Sequence, residues 1–82
     1  MNADRRKLLS RVAGLLSRAH TEIEEARDAE QAAYDNLPGS LQNGAPGDAL
    51  QQAIDAMETA LDSCDAGISA LCEIEGVDID HD

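Results

Sequence analysis

Asn36-Leu37-Pro38-Gly39-Ser40-Leu41-Gln42-Asn43-Gly44-Ala45-Pro46-Gly47 separates two stretches rich in helix-forming residues. Its Pro-Gly and Asn-Gly pairs are turn chemistry. Pro38 ends a helix because it disfavours helical geometry at Leu37 and lacks a backbone donor. The segment therefore reads as the connector of a helical hairpin, with Leu37 and Leu41 folded over the hairpin end around a short helical turn. Before it, Asn2 caps a first helix over about 3–35, with Asp4 in its first turn. After it, Asp48 opens a second helix over about 48–75, with Gln51 completing an approximate capping box. Gly76 supplies a left-handed cap that lets Val77 touch Cys72, and a tail over 76–82 is expected to be mobile at its tip.

Charge sets the direction of folding. All six cations (Arg5, Arg6, Lys7, Arg11, Arg18, Arg27) lie in the first 27 residues, and 15 of the 17 acidic residues lie from Glu24 onward. In isolated helices this gradient opposes the helix macrodipole at both ends. An antiparallel pair lays the basic start of one helix beside the acidic end of the other. The first helix carries a heptad stripe, Leu9, Val12, Leu16, Ala19, Ile23, Ala26, Glu30 and Ala33, with Glu30 the one misfit. Pairing residues whose numbers sum to 83 sets this stripe against Ile74, Leu71, Gly67, Cys64, Ala60, Met57, Ala53 and Leu50. Large faces small in most pairs, as close helix packing requires. The same register predicts ion pairs between Arg5 and Asp78, Arg18 and Asp65, and Arg11 and Glu73.

With 82 residues and Tyr34 as the one aromatic, this is a single small domain with a thin core. Leu8, Leu15, Ile54, Leu61 and Ile68 fall on a second flank of the hairpin. They are read as the seam of a homodimer, most simply a four-helix bundle. The fold class is thus all-α: an antiparallel, coiled-coil-like two-helix hairpin that dimerises.

A net charge of −11 weighs against direct binding to nucleic acid or an anionic membrane. No signal peptide or long apolar run is present, so a cytoplasmic protein is expected. Cys64 and Cys72 are eight residues apart on one helix, about 12 Å at the helical rise, which is too far for a disulfide. Cys64 reads as core filler and Cys72 as a packing residue near the helix end. His20 and His81 lack a nucleophile or carboxylate at relay spacing, so they read as structural or solvent-facing. Asp78, Asp80, His81 and Asp82 start like a calcium loop but lack its glycine and bidentate glutamate. No enzyme activity, metal or cofactor is expected.

The acidic residues have helical periodicity. Asp55, Glu58, Asp62 and Asp65 follow a 3-4-3 spacing, and Glu24, Asp28 and Asp35 follow 4-7. Each set lines one helix face with a carboxylate about every 5–6 Å. The plain reading is a solvated face that keeps a small protein soluble. The functional reading is a surface that occupies a basic, nucleic-acid-binding groove on another protein.

Ala33-Tyr34-Asp35-Asn36-Leu37-Pro38-Gly39-Ser40-Leu41-Gln42, then Gly47 and Ala53-Ile54-Asp55-Ala56-Met57-Glu58-Thr59-Ala60-Leu61-Asp62-Ser63, resembles small acidic helical-hairpin proteins of phages and prophages. In that group a Tyr/Phe-Asp-Asn-Leu/Met-Pro-x-Ser/Asn-Leu-Gln segment joins an acidic helix to one with Ala-Ile-Asp-x-Leu-Glu units. The likeness covers about residues 20–70; the basic, leucine-rich first 20 residues and Gly39 depart from it. The resemblance implies a mobile-element accessory protein with no catalytic residues to carry over. The expected function is a non-enzymatic interaction module that inhibits a host defence complex through Glu24, Asp28, Asp55, Glu58, Asp62 and Asp65. Two other readings stand beside it: an assembly protein whose leucine flank carries the interaction, and an acidic antitoxin-like partner of a basic toxin.

Overall fold

The structure, a computed structural model, describes residues 1–80. These form α1 (Ala3–Asp35), a single helical turn α2 (Gly39–Gln42) and α3 (Ala45–Cys72), with no strand among them. The long helices α1 and α3 pack side by side and antiparallel. Arg6 lies against Gly76 and Leu16 against Gly67, and His20 meets Asp65 further in. The result is a flat slab with extents of 58 × 20 × 12 Å.

Local chemistry explains the ends of the elements. Asn2 is extended, and its Oδ1 accepts from the Arg5 N–H at 2.9 Å, the expected N-cap. At the other end of α1, Gln42 Nε2 donates to the Tyr34 carbonyl at 3.0 Å, so the connector satisfies part of the last turn. The helix α3 begins three residues before Asp48. Gly44 is its N-cap and accepts from the Asp48 N–H at 3.0 Å. Pro46 sits in the first turn, where a missing N–H costs nothing. Asp48 thus becomes a first-turn acid, and Gln51 donates to Asp55 Oδ1 instead of closing a capping box.

The hairpin end is tight. A Cβ on Gly47 would overlap the Gln42 carbonyl, so α2 crosses the start of α3 only because residue 47 has no side chain.

The seam keeps a 3-4 spacing along its length. On α1 the inward positions run Leu9, Ala13, Leu16, His20, Ile23, Arg27, Glu30 and Tyr34, all buried or half-buried. Holding a seven-residue repeat over more than 20 residues requires a left-handed supercoil. Leu9, Val12, Leu16, Ala19, Ile23 and Glu30 are half-buried where the sequence reading put them. Ala26 and Ala33 are exposed, and Arg27 and Tyr34 replace them.

On α3 the centre of the seam is Ile54 and Leu61, 2% and 6% exposed, followed by half-buried Ile68. These three were expected in a dimer seam and instead face the chain's own α1. The stripe expected there, Leu50, Ala53, Met57, Ala60, Cys64, Gly67, Leu71 and Ile74, is half-buried beside them, and Leu16 meets Gly67 as the register requires. Burying a leucine or isoleucine contributes about 1.5–3 kcal/mol, so the hairpin turns its larger side chains inward in preference to the neighbouring alanines. Leu8 and Leu15 do remain outside, 51% and 54% exposed.

The last turn of α3 ends at Cys72, with Glu73 as C-cap. Gly76 is left-handed, at φ +87, but it serves a separate turn in which the Val77 N–H donates to the Ile74 carbonyl at 3.0 Å. The chain then reverses and runs back along α1. The Asp78 N–H donates to Ser10 Oγ at 3.1 Å, and the Asp80 N–H donates to the Ser10 carbonyl at 3.1 Å. Val77 is buried, and the Asp80 carbonyl lies where a Cβ on Gly14 would be. Residues 77–80 are therefore docked; the mobility expected of the tip falls on His81 and Asp82, outside the described residues.

Two substitutions test these close approaches. Gly47→Ala is expected to destabilise the hairpin by about 1–3 kcal/mol, an overpacking cost. Gly39→Ala, whose Cβ meets nothing within 4 Å, serves as a neutral control in thermal unfolding. Gly14→Ala raises helix propensity by about 1 kcal/mol yet removes the seat of the tail. It is expected to hold or increase helicity while the amides of Asp78 and Asp80 exchange with solvent faster. Unchanged protection of those amides would show that the tail does not depend on Gly14.

Candidate functional site

A two-helix slab has two broad faces, one on each side of the seam, and here they differ completely in chemistry. The contact between His20 Nε2 and Asp65 Oδ1, 3.3 Å, marks one of them. From His20, Glu24 and Asp28 follow at one-turn steps along α1. From Asp65, Asp62, Glu58 and Asp55 follow along α3 at three- and four-residue steps. Residues that far apart share a helix face, so all six lie on the face marked by the His20–Asp65 contact. All six are exposed. Asp35 and Asp48 fall on the same face near the connector.

Some of these carboxylates have partners. Arg27 Nε and Nη2 both donate to Asp28 Oδ1, at 3.2 and 3.1 Å, and Gln51 Nε2 donates to Asp55 Oδ1 at 3.1 Å. The expected arginine pairs with Asp65, Asp78 and Glu73 are not formed among the described residues. Arg18 is exposed, whereas His20 is half-buried at the seam and takes Asp65 instead. Asp78 accepts from the Ile79 N–H at 2.8 Å while its own N–H binds Ser10. Arg6 lays its stem over Gly76, with its Nε buried there and without a hydrogen-bond partner among the described residues.

The opposite face keeps Leu8 and Leu15 of the expected second flank, both exposed, and adds alanine rows that the sequence reading assigned elsewhere or not at all. It carries Leu8, Val12 and Leu15 at one end. Toward the connector it becomes alanine, with Ala26, Ala29 and Ala33 on α1 and Ala49, Ala53 and Ala56 on α3. Of the charged residues, only Arg5 and Glu22 fall on it by helical position. The signal was present in the sequence as alanine at seven-residue spacing, Ala26–Ala33 and Ala49–Ala56.

The remaining features are modest. Cys64 is half-buried in the seam and Cys72 is exposed; both are free. A cleft of about 250 Å3 beside the docked tail is lined by Arg11, Gly14, Leu15, Arg18 and Asp80, among others. Among the described residues no group of three or more His, Cys, Asp or Glu is placed to hold a metal ion. No helix among the described residues is long and apolar enough to cross a membrane. Comparisons with protein-family models, curated proteins and solved structures found no match, so the site is read from its own geometry.

Proposed function

We propose that this chain is a non-enzymatic, homodimeric interaction module of the cytoplasm that offers its acidic face to a basic surface of a partner protein. A surface that otherwise holds nucleic acid is the most concrete target, and occupying it makes the chain an inhibitor. One observation carries this reading: Glu24, Asp28, Asp55, Glu58, Asp62 and Asp65 are all exposed on one broad face. Rows of carboxylates one helical turn apart on two adjacent helices make a rigid rod of negative charge, as a nucleic-acid backbone is. Electrostatic complementarity of that kind governs association rate and partner choice. The resemblance of the connector to phage and prophage proteins fits an accessory protein directed against a host defence complex.

A second reading, an assembly protein held together by apolar contacts, draws on the exposure of Leu8 and Leu15. The two readings respond differently to salt. Attraction between exposed charges weakens as the screening length shortens, whereas apolar association does not.

The test is displacement of a labelled duplex from basic nucleic-acid-binding proteins of a host cell, titrated with this chain across a salt series. The expected result is displacement from at least one of them, weakening steeply with salt. The triple variant Asp55→Lys, Glu58→Lys, Asp62→Lys should lose it by 100-fold or more at unchanged helicity, the scale of three lost charge pairs at about 1 kcal/mol each. Displacement that survives the triple reversal rules out the acidic face as the binding surface.

A further inference from the structure

We infer that the leucine–alanine face is covered by a second copy laid end for end, so that α1 packs on α1 of its partner and α3 on α3. This rests on the homodimer proposed above and adds the face and the orientation.

The area argues for a partner of about this size. A compact chain of 8.7 kDa exposes roughly 4,700 Å2 by size scaling, whereas this one exposes 5511 Å2. The excess, about 800 Å2, is what one partner contributes to a standard protein–protein interface. The broad face of the 58 × 20 Å slab is large enough to supply it.

Charge selects the face. Of the two broad surfaces, one carries the carboxylate rows and repels its own copy. The other holds Arg5 and Glu22 alone, and two copies of a −11 chain can meet there with the least repulsion.

Shape and charge together select the orientation. The face is bulky at the end bearing Leu8, Leu15 and Ile74 and shallow at the connector end. Turning the second copy end for end sets Leu8 opposite Ala33, Leu15 opposite Ala26, and Ile74 opposite Ala53. The taper is then filled along the whole length, as close helix packing demands. The other two-fold arrangement, about the long axis, stacks bulky on bulky and leaves the alanine end gaping. It also stacks the connector halves, which hold ten of the 17 acidic residues and one cation, directly on each other.

Near the two-fold axis of the end-for-end dimer, Ser63 faces Ser63 of the partner. Ser63→Cys, in a chain carrying Cys64→Ala and Cys72→Ala, should therefore form a covalent dimer on mild oxidation. Leu15→Cys with Ala26→Cys in the same background should do so as well, since those two positions are about 16 Å apart within one helix and cannot pair there. By sedimentation equilibrium the natural chain should be a dimer. Ala26→Glu and Ala56→Glu should each make it monomeric at unchanged helicity, and Thr59→Glu at the outer edge should not. A chain that is monomeric at high micromolar concentration overturns the dimer and this interface together. A dimer that withstands Ala26→Glu and Ala56→Glu overturns the face, and one dissociated by them but trapped by neither cysteine design overturns the orientation. None of these outcomes bears on the acidic face, which the displacement titration tests separately.

Discussion

The constraint on which this molecule depends is closeness. Its interior has almost nothing bulky in it: among the described residues the buried apolar ones are Ala13, Ile54, Leu61 and Val77, and no large side chain is fully enclosed. Dispersion falls off steeply with separation, so a core of small groups holds only if the backbones come near enough for every atom to find a neighbour. The chain achieves this at glycines. Leu16 rests on Gly67 in the seam, Gln42 on Gly47 at the connector, and Asp80 on Gly14 at the tail. Each contact joins a different pair of segments, and at two of the three any side chain would drive a backbone away. Register, turn and tail are thus set by missing side chains as much as by apolar ones.

Electrostatics orders the same arrangement more loosely. The basic first helix lies against the acidic end of α3, as the macrodipole argument requires, yet the individual pairs are not those a simple register suggests. His20 takes the carboxylate assigned to Arg18, and Arg27 bonds its own neighbour Asp28. Exposed ion pairs are worth too little to dictate side-chain geometry, so orientation follows the gradient while the pairs follow local convenience. The tail adds to the gradient. By turning back along α1 it carries Asp78 and Asp80 to the half of that helix that holds four of its five arginines.

What the sequence disclosed tracks the range of the physics involved. Pro38 and Asn2 act locally, and the limits of α1 and the position of the connector were legible from them. The start of α3 was misjudged by three residues because Pro46 and Gly44 read equally well as turn chemistry and as a first turn with its cap. The stripe expected on α3 is half-buried from Leu50 to Ile74 and Leu16 meets Gly67 as the register requires, yet its deepest positions are Ile54 and Leu61, one residue along from Ala53 and Ala60. An alternation of large and small is satisfied almost as well by the alanine row as by Ile54, Leu61 and Ile68, and only the area each choice buries separates them. The docking of the tail was not legible at all, since nothing local to Gly14 announces a segment crossing it from some 66 positions away. The acidic residues were found by period. Of the apolar face only Leu8 and Leu15 were legible, because alanine is equally at home inside and outside a helix pair.

The two faces have a joint consequence. If the apolar faces pair, the acidic faces of a dimer point in opposite directions and are equal by symmetry. Such a particle is a bivalent acidic ligand with no flexible linker, because the slabs themselves set the spacing of the two surfaces. A partner that presents two basic sites at that spacing gains avidity, and one that presents a single site does not. The alanine face then contributes to target choice without touching the target. The geometry of the dimer selects among basic surfaces that are alike in charge and differ in arrangement, and a change at Ala26 or Ala56 would act on binding through valency alone.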